Sequence, residues 1–361
     1  MDPMAKQAFE AGLAKARAGD PTTAVAHFSE ALNRAPGWTQ ARMNRGCAWF
    51  LAKNYPAALA DFDAIIAAEP NLVDAYLNRS AVRRAAGDDA GADADLARAA
   101  ELAPENPMVL HLRGLSRVRA GDLPGAEDDF TRALAGNPHN IAARVNRASV
   151  RIQRGDLAGG LADSEEALRL DPQHRDALVN RATARVLLRQ YAEALADAEA
   201  VLSLAPDSVE GLYIRGVART GLEQYAAALA DLNEVVRRAP TLAAAYAARA
   251  NAKYHLADPT ALADYREAFR IDAAAATRVI IRLVREQARH RPNEVLAECQ
   301  KFRARDRSDV ISLARRGLTR LLQGRPADAD LDFAQFRKLA PGDAPLLDAL
   351  IAAATNADKK G

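Results

Sequence analysis

The sequence predicts an all-α solenoid built from helix-turn-helix repeats. A proline recurs seven times at a spacing of 34 residues, as Pro36, Pro70, Pro104, Pro138, Pro172, Pro206 and Pro240. A fixed period of this length indicates one supersecondary unit repeated along the chain. The composition agrees, because alanine is abundant, aromatic residues make up 5% and strand-forming runs are absent. We therefore expect a single elongated domain over residues 1–361.

Each repeat divides into two helices. In the first repeat the break falls at Gly19-Asp20-Pro21, where glycine ends one helix and Asp20 and Pro21 suit the N-cap and first position of the next. Breaks of the same kind recur at Asn54, Asp88, Asp122 and Asp156. Each periodic proline ends the second helix, because the residue before a proline avoids the helical conformation.

Small residues occupy the positions where the two helices of a repeat are expected to cross. Ten residues after successive prolines stand Gly46, Ser80, Gly114, Ala148, Ala182 and Gly216, and twelve residues before the next proline stand Ala58, Ala92, Ala126, Gly160, Ala194 and Ala228. Small side chains let helices approach closely. These two columns therefore predict tight packing within each repeat.

The repeat phase slips by one residue at Leu256–Pro259. Counting through the slip gives ten repeats, which end near residues 36, 70, 104, 138, 172, 206, 240, 273, 307 and 341. The repeat 274–307 carries Leu283 and Val295 at the small positions, which predicts a wider helix crossing and a kink or hinge. Residues 344–357 are expected to form a capping helix, with a second copy of the chain as the alternative partner for its apolar face.

A ladder of opposite charges runs along the repeats. Nine residues after each proline site stands an arginine: Arg45, Arg79, Arg113, Arg147, Arg181, Arg215, Arg249, Arg282 and Arg316. Fifteen or sixteen residues later stands an acid: Asp61, Asp95, Asp129, Asp163, Asp197, Asp231, Asp264, Glu298 and Asp332. Both positions are equidistant from the intervening turn, so the pattern predicts one ion pair across each hairpin. These arginines are thus expected to be structural rather than catalytic.

The first helices carry a recognisable motif. It stands as Asn44-Arg45-Gly46, Asn78-Arg79-Ser80, Asn146-Arg147-Ala148 and Asn180-Arg181-Ala182, and the second helix of the first of these repeats carries Ala58, Phe62 and Pro70. At these residues the chain resembles the tetratricopeptide repeat family, and the resemblance covers nearly the whole chain. It implies a right-handed superhelix whose first helices line a concave face, and a function as a protein-interaction scaffold.

The resemblance also implies a role for the asparagines. In family members with long superhelices, an asparagine at this point of the first helix holds the backbone of an extended peptide, a task suited to an amide with both donor and acceptor. We assign this role to Asn44, Asn78, Asn146 and Asn180. The column is interrupted at Leu112 and ends at Ile214, and bracing of local packing is the alternative.

Most other positions expected to face the groove are apolar. They are Met43, Cys47, Phe50, Leu77, Leu115, Val118, Val145, Ile152, Val179, Val186, Tyr213 and Val217. Such a lining suits an amphipathic helix or an extended hydrophobic segment of a partner protein, whereas packing between repeats is the alternative. The lysines and asparagines with which family members grip chaperone tails are nearly absent, so that ligand is not expected.

One repeat is basic. Residues 274–307 contain nine arginines and lysines against four acids, and Arg278, Arg282, Arg285 and Arg289 share one helix face. This face is expected to receive an acidic partner, to receive a nucleic-acid backbone, or to be simply solvated. Nucleic acid is the less favoured ligand, because no aromatic residues are interleaved and the formal net charge is only +2.

No catalytic or metal-binding motif is present in the sequence. The six histidines lack metal-ligand spacing, and no phosphate-binding loop or nucleophile motif occurs. We expect no enzyme activity, no cofactor and no membrane-spanning segment. Two cysteines, Cys47 and Cys299, fit a reducing compartment, and the composition is typical of a cytoplasmic bacterial protein. The predicted function is a non-enzymatic scaffold that binds a peptide or helix of a partner protein. A self-assembling homo-oligomer and docking through the basic repeat are the alternatives.

Overall fold

The computed structural model describes residues 2–356 of the chain. In this range there are 21 α-helices, one short 3₁₀ turn and no strand. Successive helices pair as helix-turn-helix units, which confirms the predicted all-α solenoid of repeats. The chain divides after Pro172 into two compact units. The prediction of one continuous domain over residues 1–361 stays a prediction.

The first unit contains five helix pairs. Their ranges are α1 Pro3–Arg17, α2 Pro21–Arg34, α3 Thr39–Leu51, α4 Tyr55–Ala68, α5 Val73–Ala85, α6 Asp89–Leu102, α7 Pro107–Arg119, α8 Leu123–Gly136, α9 Ile141–Arg154 and α10 Leu157–Leu170.

The second unit contains five further pairs and a terminal helix. Their ranges are α11 Arg175–Leu187, α12 Tyr191–Leu204, α13 Val209–Gly221, α14 Tyr225–Arg238, α15 Ala243–His255, α16 Ala261–Ile271, α17 Ala273–His290, α18 Pro292–Arg305, α19 Val310–Leu322, α20 Pro326–Leu339 and α21 Ala344–Asn356, with the 3₁₀ turn at Pro341–Asp343.

The turns within the pairs follow the predicted chemistry. Asp20 caps α2, its carboxylate accepting a hydrogen bond of 3.0 Å from the backbone N–H of Thr23. The residue before each such cap adopts a left-handed conformation. In one repeat this residue is Gly155, with φ 88°, and in another it is Lys53, with φ 59°. Glycine adopts this conformation without strain, so the repeats with lysine, arginine or glutamate there tolerate a less favoured backbone.

The small residues of the first helices make room for aromatic rings. A Cβ atom added to Gly114 would lie 2.6 Å from the ring of Phe130, and one added to Gly46 would lie 2.8 Å from that of Phe62. Both rings are fully buried. The predicted close crossing is therefore present, and it is filled by a phenylalanine one turn beyond the small residue of the second helix.

The phase slip changes two helices. The helix α16 begins only at Ala261, after a turn in which the Asp258 carboxylate accepts a hydrogen bond of 2.8 Å from the N–H of Thr260. The next helix, α17, follows directly after Asp272, which caps it, and runs for 18 residues. The helix α16 is thus shorter than the other second helices, and only Asp272 separates it from α17.

The helix α17 does not pack like the other first helices. It packs more extensively against α15 than against its own partner α18, and it also contacts α16, α19 and α21. Val295 is buried, and Leu283 is half-buried beside a pocket. The wider crossing predicted for residues 274–307 agrees with this arrangement.

The terminal helix α21 covers the apolar end of the second unit. Leu346, Leu347 and Leu350 are buried in a cluster with residues of α17, α19 and α20. The helix therefore acts as the predicted cap, and residue 357 of the predicted range lies outside the described residues. No helix in residues 2–356 is long and apolar enough to cross a membrane.

Candidate functional site

Eight of the nine predicted ion pairs are formed. In each of them an arginine of the first helix reaches a carboxylate of the second at an N–O distance of 2.5 to 2.7 Å. The carboxylates are buried, and Asp129 has no exposed surface. Breaking one side of such a pair leaves an uncompensated charge inside the repeat, so these arginines are structural.

A second basic column completes most of these pairs, and sequence reasoning missed it. Thirteen residues after the proline sites stand Arg83, Arg117, Arg151, Arg185, Arg219, Lys253 and Arg320, each within 3.0 Å of the same carboxylate. The signal was present, since these residues lie one helical turn after the first column. The column is broken by Trp49 and by Glu286.

The ninth predicted pair, Arg282 with Glu298, is wrong. Glu298 instead accepts a hydrogen bond of 2.7 Å from Nδ1 of His255, and Arg282 faces a pocket. The physical reason is the poor packing of α17 on α18, where Leu283 replaces the glycine or alanine of a close crossing. The guanidinium of Arg282 is thereby released from the structural role of its column.

The four predicted basic residues line this pocket. It lies in the second unit, has a volume of about 560 Å³ and is bounded by first helices α11, α13, α15 and α17. Arg278 and Arg289 are exposed, and Arg282 and Arg285 are half-buried. A cleft lined by one sign of charge concentrates ligands of the opposite sign. We call this pocket the arginine pocket.

The arginines of α17 are not paired with carboxylates. Within residues 2–356, Arg278, Arg282 and Arg289 form no ion pair, and Arg285 donates to the carbonyl oxygens of Ala353 and Ala354 at 2.9 Å each. Arg282 lies beside the hydroxyl of Tyr213, whose pKa burial raises and the arginine opposes. Three cationic groups therefore remain available to an anionic ligand.

One acid, Glu286, also lines the arginine pocket. Its carboxylate is 3.0 Å from Nε of Arg189 and accepts a hydrogen bond from the hydroxyl of Tyr191. Burial and this hydrogen bond raise the pKa of Tyr191 to about 12. Neither Arg189 nor Tyr191 was singled out from the sequence, because 95 residues separate Tyr191 from Glu286.

An apolar pocket adjoins the arginine pocket. It has a volume of about 370 Å³, is lined by Val179, Val186, Tyr213 and Val217, and shares Tyr213 and Arg282 with its neighbour. Four of the predicted groove residues, Val179, Val186, Tyr213 and Val217, are thus brought together in the second unit. We call the two pockets together the second-unit groove.

The wall of the second-unit groove continues into a buried polar cluster. Arg315 is 5% exposed. Its guanidinium donates to Asn251 at 3.0 Å and to Gln287 at 2.5 Å, and lies 4.2 Å from the ring centre of Tyr254. Arg315 occupies the asparagine column of its repeat. Its neutral partners hold α17 and α19 against α15 and so fix the wall of the groove.

The asparagines predicted to bind a peptide differ in their hydrogen bonds. The side-chain nitrogen of Asn44 donates to the carbonyl of Gln40 at 2.8 Å, and that of Asn78 to the carbonyl of Asp74 at 2.9 Å. Asn146 has no hydrogen bond among the described residues. All three asparagines are half-buried, as is Asn180 in the second unit.

The apolar residues of the first unit that were predicted to face the groove fall into two groups, one in the core and one half-buried. Leu77 and Val145 are 8% and 7% exposed and belong to the core. Met43, Phe50 and Leu115 are half-buried against core clusters of their repeats. The described residues contain no group of three His, Cys, Asp or Glu able to hold a metal ion.

The fold and the repeat motif define a helical-repeat protein of the solenoid class. The family model of the tetratricopeptide repeat matches residues 9–73, 111–175, 146–208 and 179–243, which is more than half of the chain. The chain therefore belongs to the tetratricopeptide repeat family. This family and fold are those of protein-interaction scaffolds.

Solved structures show the same fold at low sequence identity. The APC/C hetero-tetramer Cut9–Hcn1 is 14% identical, with 67% of this chain and 48% of that chain covered and a TM-score of 0.55. The type IV pilus biogenesis factor PilW is 17% identical over 56% and 94% of the two chains, with a TM-score of 0.51. PilF of Pseudomonas aeruginosa is 17% identical over 56% and 92%, with a TM-score of 0.50. No curated protein matches the sequence.

Proposed function

We propose that this protein is a non-enzymatic scaffold that binds a segment of a partner protein in the second-unit groove. The observation that carries the proposal is the release of Arg282 from the ion-pair ladder at the junction of an apolar and a cationic pocket. Pockets with an apolar floor and a few polar groups are the usual form of binding sites. A peptide or helix anchored by apolar side chains fits this form.

The apolar floor provides a direct test. Val217→Lys places a charge in the apolar pocket, while Ala226→Lys adds the same charge at an exposed position of α14. Affinity capture from the source lysate should identify a partner with wild type and Ala226→Lys and lose it with Val217→Lys. Circular dichroism checks that both variants remain folded. Equal capture by all three proteins contradicts the proposal.

A second candidate site lies on the first helices of the first unit. Asn146 has no hydrogen-bond partner among the described residues, and the bond made by Asn44 engages only its nitrogen, so its oxygen can accept from a peptide N–H. We propose that this face, with Met43, Phe50 and Leu115 beside it, binds an extended peptide.

The asparagine site is tested by changing its three residues in the first unit, Asn44, Asn78 and Asn146, to alanine. The exposed Asn71→Ala serves as the matched control. Loss of a captured partner in the folded triple variant, with retention in the control, supports the site. Retention in both assigns the asparagines to local packing.

A further inference from the structure

We propose that the segment bound in the second-unit groove is an amphipathic helix with a stripe of acidic side chains. The inference rests on the proposed function and names the chemistry of the partner. It follows from the charge of α17, from its regular spacing and from the apolar pocket beside it.

The spacing of the cationic groups is that of a helix face. Arg278, Arg282, Arg285 and Arg289 lie on the uninterrupted helix α17 at intervals of four, three and four residues. At a rise of about 1.5 Å per residue the row is about 17 Å long. A helix lying alongside with acids at the same intervals presents its carboxylates to this row in register.

The charge of the row is uncompensated. The ladder arginines of the regular first helices, such as Arg113 and Arg215, pair with buried carboxylates, whereas Arg278, Arg282 and Arg289 have no ion pair within residues 2–356. The acid of the arginine pocket, Glu286, is already held by Arg189 and Tyr191. Glu210 lines the apolar pocket and accepts a hydrogen bond of 3.0 Å from the hydroxyl of Ser208. An incoming acidic stripe therefore meets cations that are not paired with either carboxylate.

Glu286 also shows how this groove receives a carboxylate. It is bound by an arginine and a tyrosine hydroxyl. Arg282 and Tyr213 repeat this combination at the junction of the two pockets, and within residues 2–356 Arg282 forms no ion pair with a carboxylate. A partner carboxylate placed there accepts charge-assisted hydrogen bonds of the same kind.

The apolar pocket distinguishes a protein helix from a nucleic acid. Val179, Val186 and Val217 offer a surface for leucine or isoleucine side chains next to the acidic stripe. A phosphate backbone has no apolar side chain to cover these valines. The two tyrosines of the arginine pocket, Tyr191 and Tyr213, lie against Glu286 and Arg282 through their hydroxyls. The observations thus favour an acidic, apolar helix.

The test uses the full chain and synthetic helices of about 18 residues, which span the row. One peptide carries Glu at positions i, i+4, i+7 and i+11 with Leu on the adjoining face, and its control has Gln at the same four positions. Fluorescence anisotropy should show that the Glu peptide binds about tenfold more tightly, as expected of several partly exposed ion pairs. Its affinity should fall with rising salt.

Protein variants locate the effect. The triple variant Arg278→Gln, Arg282→Gln and Arg289→Gln should weaken binding of the Glu peptide about tenfold and leave the Gln peptide unaffected. The variant Lys301→Gln, Arg305→Gln and Arg307→Gln removes the same charge from exposed positions outside the pocket and should bind as wild type.

Each contrary result has a distinct meaning. Equal binding of the Glu and Gln peptides overturns the acidic stripe and leaves the proposed function in place. Binding of neither peptide overturns the inference, while the Val217→Lys capture experiment still decides the proposed function. Displacement of the Glu peptide by an oligonucleotide of equal charge at lower concentration overturns it in favour of nucleic acid.

Discussion

The α7–α8 hairpin and the α17–α18 pair occupy the same place in the repeat and use it differently. In α7–α8, Gly114 lies against Phe130 and Arg113 pairs with the buried Asp129 at 2.5 Å. In α17–α18 the glycine position is Leu283, and its arginine and acid do not meet. The comparison shows that α17–α18 has lost the close crossing and the ion pair together, which leaves Arg282 without a carboxylate. The α1–α2 pair keeps the crossing alone, with Gly12 against Phe28 and neither an arginine nor an acid at the two ladder positions.

The largest effect on stability is expected from removing a carboxylate of the ion-pair ladder. Asp129→Ala leaves Arg113 and Arg117 without their buried partner and should lower the free energy of unfolding by about 3–5 kcal/mol. Glu298→Ala, at the same position of the irregular pair, removes the acceptor for His255 and a half-buried carboxylate near Arg315 and Arg291, and should cost about 1–3 kcal/mol. Urea denaturation measures both.

The control for this contrast is Asp128→Ala, whose side chain is 64% exposed. It should change stability by at most about 1 kcal/mol. Equal costs for Asp129→Ala and Asp128→Ala would mean that the ladder does not stabilise the repeats.

The next largest effect on stability is expected where the two helices of a repeat cross closely. Gly114→Ala places a Cβ 2.6 Å from Phe130 and should destabilise the chain by about 1–3 kcal/mol. Leu283→Ala, in the wider crossing, truncates a half-buried side chain and should cost about 1 kcal/mol. Gly37→Ala, with no atom within 4 Å of the added Cβ, is the neutral control. Thermal and urea unfolding compare the stability of the three variants. A larger loss of stability for Leu283→Ala than for Gly114→Ala would contradict a close crossing at Gly114 and a wider one at Leu283.

A smaller effect depends on pH. Burial lowers the pKa of His255 despite its bond to Glu298, and the nearby Arg315 and Arg291 act in the same direction. The histidine is neutral in the folded chain, so its contribution to stability is present above about pH 6.5 and is lost as pH falls through the lowered pKa. Between about pH 7 and 5, wild type should lose more stability than His255→Gln. Equal losses of stability in the two proteins would show that His255 does not cause the pH dependence.

The smallest effect is expected at the released arginine. Arg282→Gln should change the free energy of unfolding by no more than about 0.5 kcal/mol, because no buried carboxylate depends on it. The measurement is urea denaturation beside Asp129→Ala. A loss comparable to that of Asp129→Ala would show that Arg282 has a structural role after all.

Much of the fold could be predicted because its determinants are local and repeated. The proline period sets the repeat ends, the caps such as Asp20 set the turns, and symmetric positions about each turn predict eight correct ion pairs. The row of arginines on α17 was also predictable as one helix face. Its inward orientation was not, because that depends on how α17 packs.

The second basic column could have been predicted from its spacing in the sequence. The contacts of Glu286 and Arg315 could not. Glu286 meets Tyr191 across 95 residues, and Arg315 meets Asn251 across 64. No periodicity links such positions, because the register of the repeats changes between them at Leu256–Pro259.

The sequence by itself determined the repeat, its helices and the ion pairs that close each regular hairpin, since all of these depend on neighbours within one period. Only the tertiary structure decided that α17 would leave its partner, pack on α15 and present Arg282 beside Tyr213. The physical reason is that helix formation and hairpin closure are local, whereas the packing of a helix that lacks a close crossing is set by whichever apolar surface buries it best.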